Sequence, residues 1–373
     1  MDRVLADPWN VWAANRPTST VLHLDSGAAG RSSVATLDAV AAHARREATR
    51  GAYIAMREAQ PALDGLRDDI AGLLAQPAGG VAFVESGTTG LEALLRVWPL
   101  PPDASVGVVA PEWGPNLAAF TARGLRIVEV PHDGTGRLDV AALAGVLADD
   151  PPTVVHLTQV TSHRGLVQPV AEALAACRAA GVPLWVDAAQ ALGHVDTAQG
   201  VDAVYSTSRK WLTGPRGVGL LAVAEPWWES LRVARRPMED SPLPLRHLES
   251  HEAHIAGRIG LARAVREYLD LGPAAVVARL EEVGRLTRQV LAVVPGWAVA
   301  GSTGSAITAL RPTAGQDVAA VRDRLFAEHA VLTTAGSTTR APRDGAGPLL
   351  RVSPHVDVTS EALERLRAVL PER

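Results

Sequence analysis

Seven short apolar, β-branched runs alternate with helical patterns through the first part of the chain. They are GVAFVES (80–86), ASVGVVAPE (104–112), LRIVEVP (125–131), TVVHLTQV (153–160), VPLWVDAAQ (182–190), DAVYSTS (202–208) and GVGLLAV (217–223). Between them lie TTGLEALLRVW, NLAAFTARG, LDVAALAGVLAD and AEALAACRAAG, whose apolar residues recur at helical spacing. Strands that alternate with helices at these lengths predict an α/β fold: a mostly parallel seven-stranded sheet with helices on both faces. Such sheets bind ligands outside the carboxyl ends of their strands.

The pattern breaks at 235–250, where RRPMEDSPLPLRHLES is rich in proline and charge and reads as a connector or active-site loop. Two long helical stretches come next, then strands (SAITALRP, VLTTAG, LLRVSP) alternate with helices (QDVAAVRDRLFAEH, TSEALERLRAVL). The expected division is a large domain over 21–245 and a smaller α+β domain over 246–373, joined by segment 1–20. RAPRDGAG (340–347) has the composition of a mobile loop tip. The net charge of −4 gives no basic bias, so no nucleic-acid partner is expected. No stretch approaches the ~20 apolar residues of a membrane span, and the expectation is a cytoplasmic protein. The one cysteine, Cys177, lies in a helical pattern and reads as a small buried apolar residue.

Of the 36 lysines and arginines, one alone is lysine: Lys210, in SRKWLTGPRG. Arginine carries the same charge but cannot condense with a carbonyl, whereas a desolvated lysine amine can. Several features stand around Lys210. ESGTTG (85–90), between a strand and a helix, offers N–H groups and hydroxyls to an anion, or is simply a helix cap. Asp187 ends an apolar strand and either caps a helix after it or meets a cationic partner such as a pyridinium nitrogen. Gln190, three residues on, could reach a ring oxygen. One strand separates Asp187 from Lys210, which puts both at the same edge of the sheet. Trp113, in PEWGPN, is a core side chain or a stacking surface.

In this order the motifs resemble pyridoxal-phosphate enzymes of fold type I. The branch is the class-V aminotransferase-like one, with cysteine desulfurases, kynureninases and serine- or alanine-type aminotransferases. The resemblance runs from HLDSGAAG (23–30) to LLRVSPHVDVTSEALERL (349–366). It implies pyridoxal 5'-phosphate as cofactor, Lys210 as its Schiff-base lysine and Asp187 as the partner of its pyridine nitrogen. It further implies Gln190 near the ring hydroxyl, Trp113 stacked on the ring, and Thr88, Thr89, Thr207 and Arg209 at the phosphate. Ser162 or its neighbour His163 faces the cofactor where the family often has asparagine. Arg351 matches the arginine that grips the substrate carboxylate, and Ala28 lies in a substrate-contacting segment. A homodimer is implied as well.

Cysteine desulfurases carry a catalytic cysteine on a loop of the smaller domain, and this chain has no cysteine after Cys177. A sulfur relay through the protein therefore lacks a carrier. The finer resemblance, which includes RGAYIAMREAQPALDGLR (50–67) and ESHEAHIAGRIGLARAVREYL (249–269), is to the carbon–sulfur lyases of ergothioneine biosynthesis. It implies β-elimination on hercynylcysteine sulfoxide, a small amino-acid sulfoxide, to give pyruvate, ammonia and a sulfenic acid that is reduced to ergothioneine. Tyr53, with Glu58, and Trp9 and Trp12 are candidate walls for the trimethylammonium group. An aminotransferase or kynureninase-like hydrolase is the alternative.

Overall fold

In a computed structural model, residues 7–234, 244–250, 252–300 and 304–372 are described. Most of the 235–250 connector thus lies outside the described residues, apart from a short 3-10 turn at Pro244–Leu248. The seven expected strands all form: β2 (Val81–Val84), β3 (Ser105–Val108), β4 (Arg126–Glu129), β5 (Val154–Thr158), β6 (Leu184–Asp187), β7 (Ala203–Thr207) and β8 (Gly219–Val223). They make one sheet in the order β2-β8-β7-β6-β5-β3-β4, preceded in the chain by a two-residue strand, β1 (Leu22–His23). Only β8 runs against its neighbours. Strands β2, β3, β5, β6 and β8 are buried along their whole length. That is why they read as unbroken apolar runs instead of alternating ones.

Two apolar cores flank the sheet. One gathers Leu66, Ile70, Leu174, Leu261 and Leu280 from helices Ala52–Leu74, Val170–Ala180, Ile255–Leu271 and Pro273–Leu291. The other gathers Leu91, Leu94, Leu117 and Phe120 from helices Gly87–Val97 and Gly114–Ala122. A third core lies under an antiparallel sheet of β9 (Trp297–Val299), β10 (Thr308–Pro312), β12 (Thr334–Gly336) and β13 (Leu349–Val352). The VLTTAG run, read as one strand, splits in two. Its first half, β11 (Val331–Leu332), leaves this sheet to pair in parallel with β1, tying the start of the chain to its last third. Two helices at the front, Val34–Arg50 and Ala52–Leu74, are joined by Gly51 alone, at φ +87°. Only glycine takes that backbone without strain, so the chain reverses in one residue.

Strand β2 is an edge strand, and its free backbone groups are answered by charged side chains. Glu249 accepts from the Phe83 N–H at 3.2 Å, and the Arg258 guanidinium donates to the Phe83 carbonyl at 3.1 Å. Arg67 donates to the Val81 carbonyl. Glu249 pairs with both arginines, at 2.7 Å to Arg67 and 2.6 Å to Arg258, and all three are largely buried. Removing the shared carboxylate strands two buried guanidinium groups. Glu249→Gln is therefore expected to cost about 3–5 kcal/mol, read as a lower urea midpoint at unchanged slope.

Candidate active site

The site lies where the carboxyl ends of β3, β5, β6 and β7 meet the start of helix Gly87–Val97. Direction reverses here: from β3 the chain steps outward to β4, and from β5 it steps the other way through β6 and β7. That is the switch point at which such sheets leave a crevice. Register sets the floor, because Thr158, Asp187 and Tyr205 are direct neighbours on β5, β6 and β7.

Asp187 is 5% exposed. No helix comes after it; its Oδ1 accepts the Ala189 N–H at 2.8 Å within a turn. Its Oδ2 accepts from Asn116 Nδ2 at 2.9 Å. Burial pushes its pKa up, against these hydrogen bonds and the Lys210 charge. Asn116 is anchored in turn by Glu112, at 2.9 Å. Glu112 is fully buried and also accepts from Thr158 Oγ1 at 2.6 Å, the Trp113 N–H at 2.8 Å and His156 Nδ1 at 2.9 Å. His156 Nε2 meets the Tyr205 hydroxyl at 3.0 Å. Despite burial these donors hold the Glu112 carboxyl below its usual range, His156 foremost among them. Sequence reading missed this network. Glu112 and Asn116 sit in PEWGPN, but nothing in a strand-to-helix turn shows that its polar side chains point inward.

Lys210 opens onto the cavity but is walled by protein, and desolvation pushes its pKa down to about 7, with Asp187 opposing the shift. Its backbone is fixed from both sides. Gly30 N–H donates to the Arg209 carbonyl at 2.7 Å, and Gly30 packs so close to the Lys210 carbonyl that a Cβ has no room. Trp211 stacks on His194 at 3.8 Å, and its Nε1 donates to Gln190 Oε1 at 2.9 Å. Gln190 Nε2 donates to the Gly27 carbonyl at 2.7 Å, tying HLDSGAAG to the sheet.

Thr88, Trp113, Ser162, Asp187, Gln190, Thr207, Arg209 and Lys210 all line one cavity with Ser86 and Gly87. Thr89 turns away into a reciprocal cap, accepting the Ser86 N–H at 2.7 Å while Ser86 Oγ accepts the Thr89 N–H at 3.1 Å. ESGTTG is thus both cap and cavity wall. Ser162 faces the cavity, whereas His163 is spent on Asp344 at 2.6 Å. Arg351, 1% exposed, lies behind the wall. It donates to Asp25 Oδ1 at 2.9 Å, the Ser162 carbonyl at 2.8 Å and Thr334 Oγ1 at 3.1 Å, and its Nε has no partner. Ala28 lies beside the wall in the Asp25–Gly30 loop, outside the lining.

Tyr53 does not join the cavity; it stands 72% exposed on its helix. Glu58 pairs with Arg46, and Trp12 is buried in a stack with His355. The RAPRDGAG segment departs from the expected free tip. Asp344 binds His163 and Arg164, Arg343 pairs with Glu129, and Arg340 lies 5.7 Å from the Trp113 ring centre. Cys177 is buried, with its thiol pushed up to about 12 by burial.

The family model "Aminotransferase class-V" matches residues 22–366. The chain belongs to the class-V aminotransferase family. A probable hercynylcysteine sulfoxide lyase of Mycobacterium tuberculosis is 44% identical over 364 residues, 96% of this chain and 92% of that protein. An isopenicillin N epimerase of Amycolatopsis lactamdurans is 28% identical over 94% of this chain and 95% of its own. The cysteine desulfurase CsdA of Escherichia coli superposes with a TM-score of 0.83 at 20% identity, over 97% of each chain, a likeness of fold.

Pyridoxal phosphate is the cofactor of this class-V enzyme, and the donor set fits it. One end of the cavity offers a helix N-terminus, Thr88, Thr207 and a guanidinium, Arg209, with no carboxylate partner among the described residues. The other end offers a buried carboxylate, and an amine whose pKa is lowered to about 7, so that a substantial fraction is neutral near neutral pH, lies on the wall. Glu112→Gln places an amide N–H among four donors and loosens Asn116. Cofactor dissociation is expected to rise about ten-fold, the scale of one lost charge-assisted hydrogen bond, with Tyr205→Phe weaker. Equilibrium dialysis followed by cofactor absorbance checks both.

Proposed function

We propose that the chain is a carbon–sulfur lyase that carries out β-elimination on hercynylcysteine sulfoxide, releasing pyruvate, ammonia and a sulfenic acid, which an external thiol then reduces to ergothioneine with loss of water. The observation that carries the reading is Lys210, enclosed and with its pKa near 7, at the sheet edge it shares with the buried carboxylate of Asp187. The 44% identical relative supplies the substrate class. The only thiol, Cys177, is buried in a helix and outside the cavity, so sulfur leaves on the substrate.

The cofactor supplies an electron sink for charge that develops at the substrate Cα. The chain supplies the rest. Asp187, held by Asn116 and Ala189, would receive the pyridine nitrogen and keep its proton in place. Thr88, Thr207 and Arg209, with the N-terminus of helix Gly87–Val97, would hold the phosphate. Trp113 would cover a ring face, and Gln190 would lie near the ring oxygen. Arg351, bonded to Asp25 behind the wall, is the group assigned to the α-carboxylate. Lys210 takes the Cα proton, for which a pKa near 7 suits it as general base. The Cβ–S bond then breaks with its electron pair leaving on sulfur, and the three-carbon remainder takes up water to give pyruvate and ammonia. The setting we propose is a homodimeric, cytoplasmic enzyme.

Incubation of the cofactor-loaded protein with the sulfoxide under reducing conditions should give pyruvate, ammonia and ergothioneine together. Lys210→Ala should lower the rate by at least about 10³-fold, since it removes a general base. A 2-oxo acid without free ammonia would instead make the chain an aminotransferase.

A further inference from the structure

All four buried arginines among the described residues pair with a carboxylate: Arg16 with Glu267, Arg67 and Arg258 with Glu249, and Arg351 with Asp25. Such pairing is what makes a buried charge tolerable. Arg340 is less deeply buried and makes no ion pair among the described residues. Unlike half-buried Arg288, which donates to the Ser305 carbonyl at 2.7 Å, it lies against the cavity lining. Its nearest polar contact is Ser162 Oγ, at 3.4 Å, and its guanidinium lies 5.7 Å from the Trp113 ring centre. Both neighbours line the cavity. Arg209, on the cavity lining, also lacks a carboxylate partner among the described residues, and in the lyase reading the cofactor phosphate would answer that charge.

The backbone that carries Arg340 is fastened. The Thr339 carbonyl presses on Gly114, where a Cβ has no room, and Asp344 is clamped by His163 at 2.6 Å and Arg164 at 2.5 Å. The short turn Thr338–Arg340 therefore presents its guanidinium from a braced position, at the cost of an unpaired cation. Burial, helped by the nearby Arg351, pushes its pKa down to about 10, so it stays charged at neutral pH.

We propose that Arg340 determines specificity by receiving a carboxylate on the leaving-group side of the substrate. The preferred substrates are then cysteine S-conjugate sulfoxides whose sulfur-bearing portion ends in an anion. In the lyase reading Arg351, bonded to Asp25, is the group assigned to the α-carboxylate, which leaves Arg340 as the second cation for a second anion. A guanidinium fork matches a carboxylate in two parallel hydrogen bonds, which an amide cannot reproduce.

This inference rests on the lyase reading, and the experiment separates the two. Two substrates are compared, a cysteine S-conjugate sulfoxide ending in a carboxylate and its neutral amide. The wild type should favour the acid in kcat/KM by about ten-fold or more, the scale of one charge-assisted contact. Arg340→Gln should remove most of that preference, chiefly through KM of the acid, and Arg340→Lys should restore part of it. An acid-to-amide ratio unchanged in Arg340→Gln, or a kcat loss shared by both substrates, would overturn the assignment. If the wild type cleaves neither of these nor hercynylcysteine sulfoxide, the lyase reading fails. Competition by the acid and amide forms of a thioether analogue, followed by cofactor absorbance, then still tests Arg340: equal binding to the wild type contradicts it.

Discussion

Much of this structure serves to hold one amine near one carboxylate, both largely walled by protein. Enclosure takes the Lys210 ammonium out of its hydration shell and favours the neutral amine, while the Asp187 charge pulls the other way. The balance near 7 leaves an amine that is a usable nucleophile and base at neutral pH. The sheet makes the meeting possible: β6 and β7 are parallel neighbours, so residues at and just beyond their carboxyl ends come to one edge. An antiparallel pair there would have sent Lys210 to the far side.

A buried carboxylate tends to take up a proton, and Asp187 is pushed that way. The counterweight is built in layers. Asn116 bridges Asp187 and Glu112, and Glu112 collects four donors from strand β5 and a helix start. A network this well satisfied is rigid, and its failure at any member leaves buried groups unpaired. The ring stack behind Lys210 does comparable work on the other side. His194 accepts the Ala306 N–H at 2.8 Å while its Nδ1 meets the Gln190 carbonyl at 2.8 Å. Burial lowers its pKa to about 4, so it stays neutral and fixes Trp211, the residue after Lys210, against the C-terminal part of the chain.

The sheet was legible because fully buried strands write themselves as apolar runs and the helices between them carry a 3.6-residue period. Lys210 stood out as the one lysine, Asp187, Gln190 and Trp113 by their places at or after strand ends, and Thr207 through the family resemblance, and all five line the cavity. What the sequence hid was direction. ESGTTG does not say that Thr88 faces in and Thr89 caps. VTSHRG does not say that Ser162 faces the cavity while His163 binds Asp344. Tyr53 was chosen by nearness to Glu58 along the chain, and helical geometry leaves it exposed. The 340–347 segment has the glycine and proline of a free tip, yet Asp344 and Arg343 find partners far off in sequence, and composition cannot show such contacts.

Because the chain holds a single lysine, feeding cells lysine labelled with 13C at Cε gives a protein with one reporter signal, at Lys210. Titration of that signal in the cofactor-free protein tests directly whether enclosure makes this amine neutral. An inflection at about pH 7 is expected, with Asp187→Asn moving it lower because a favourable charge is lost. Since the folded value lies below the unfolded one, this group's contribution to stability is full above the ordinary value of 10.5 and lost as pH falls through about 7. An inflection that stays near 10.5 would contradict the enclosed, neutral amine on which the proposed chemistry depends.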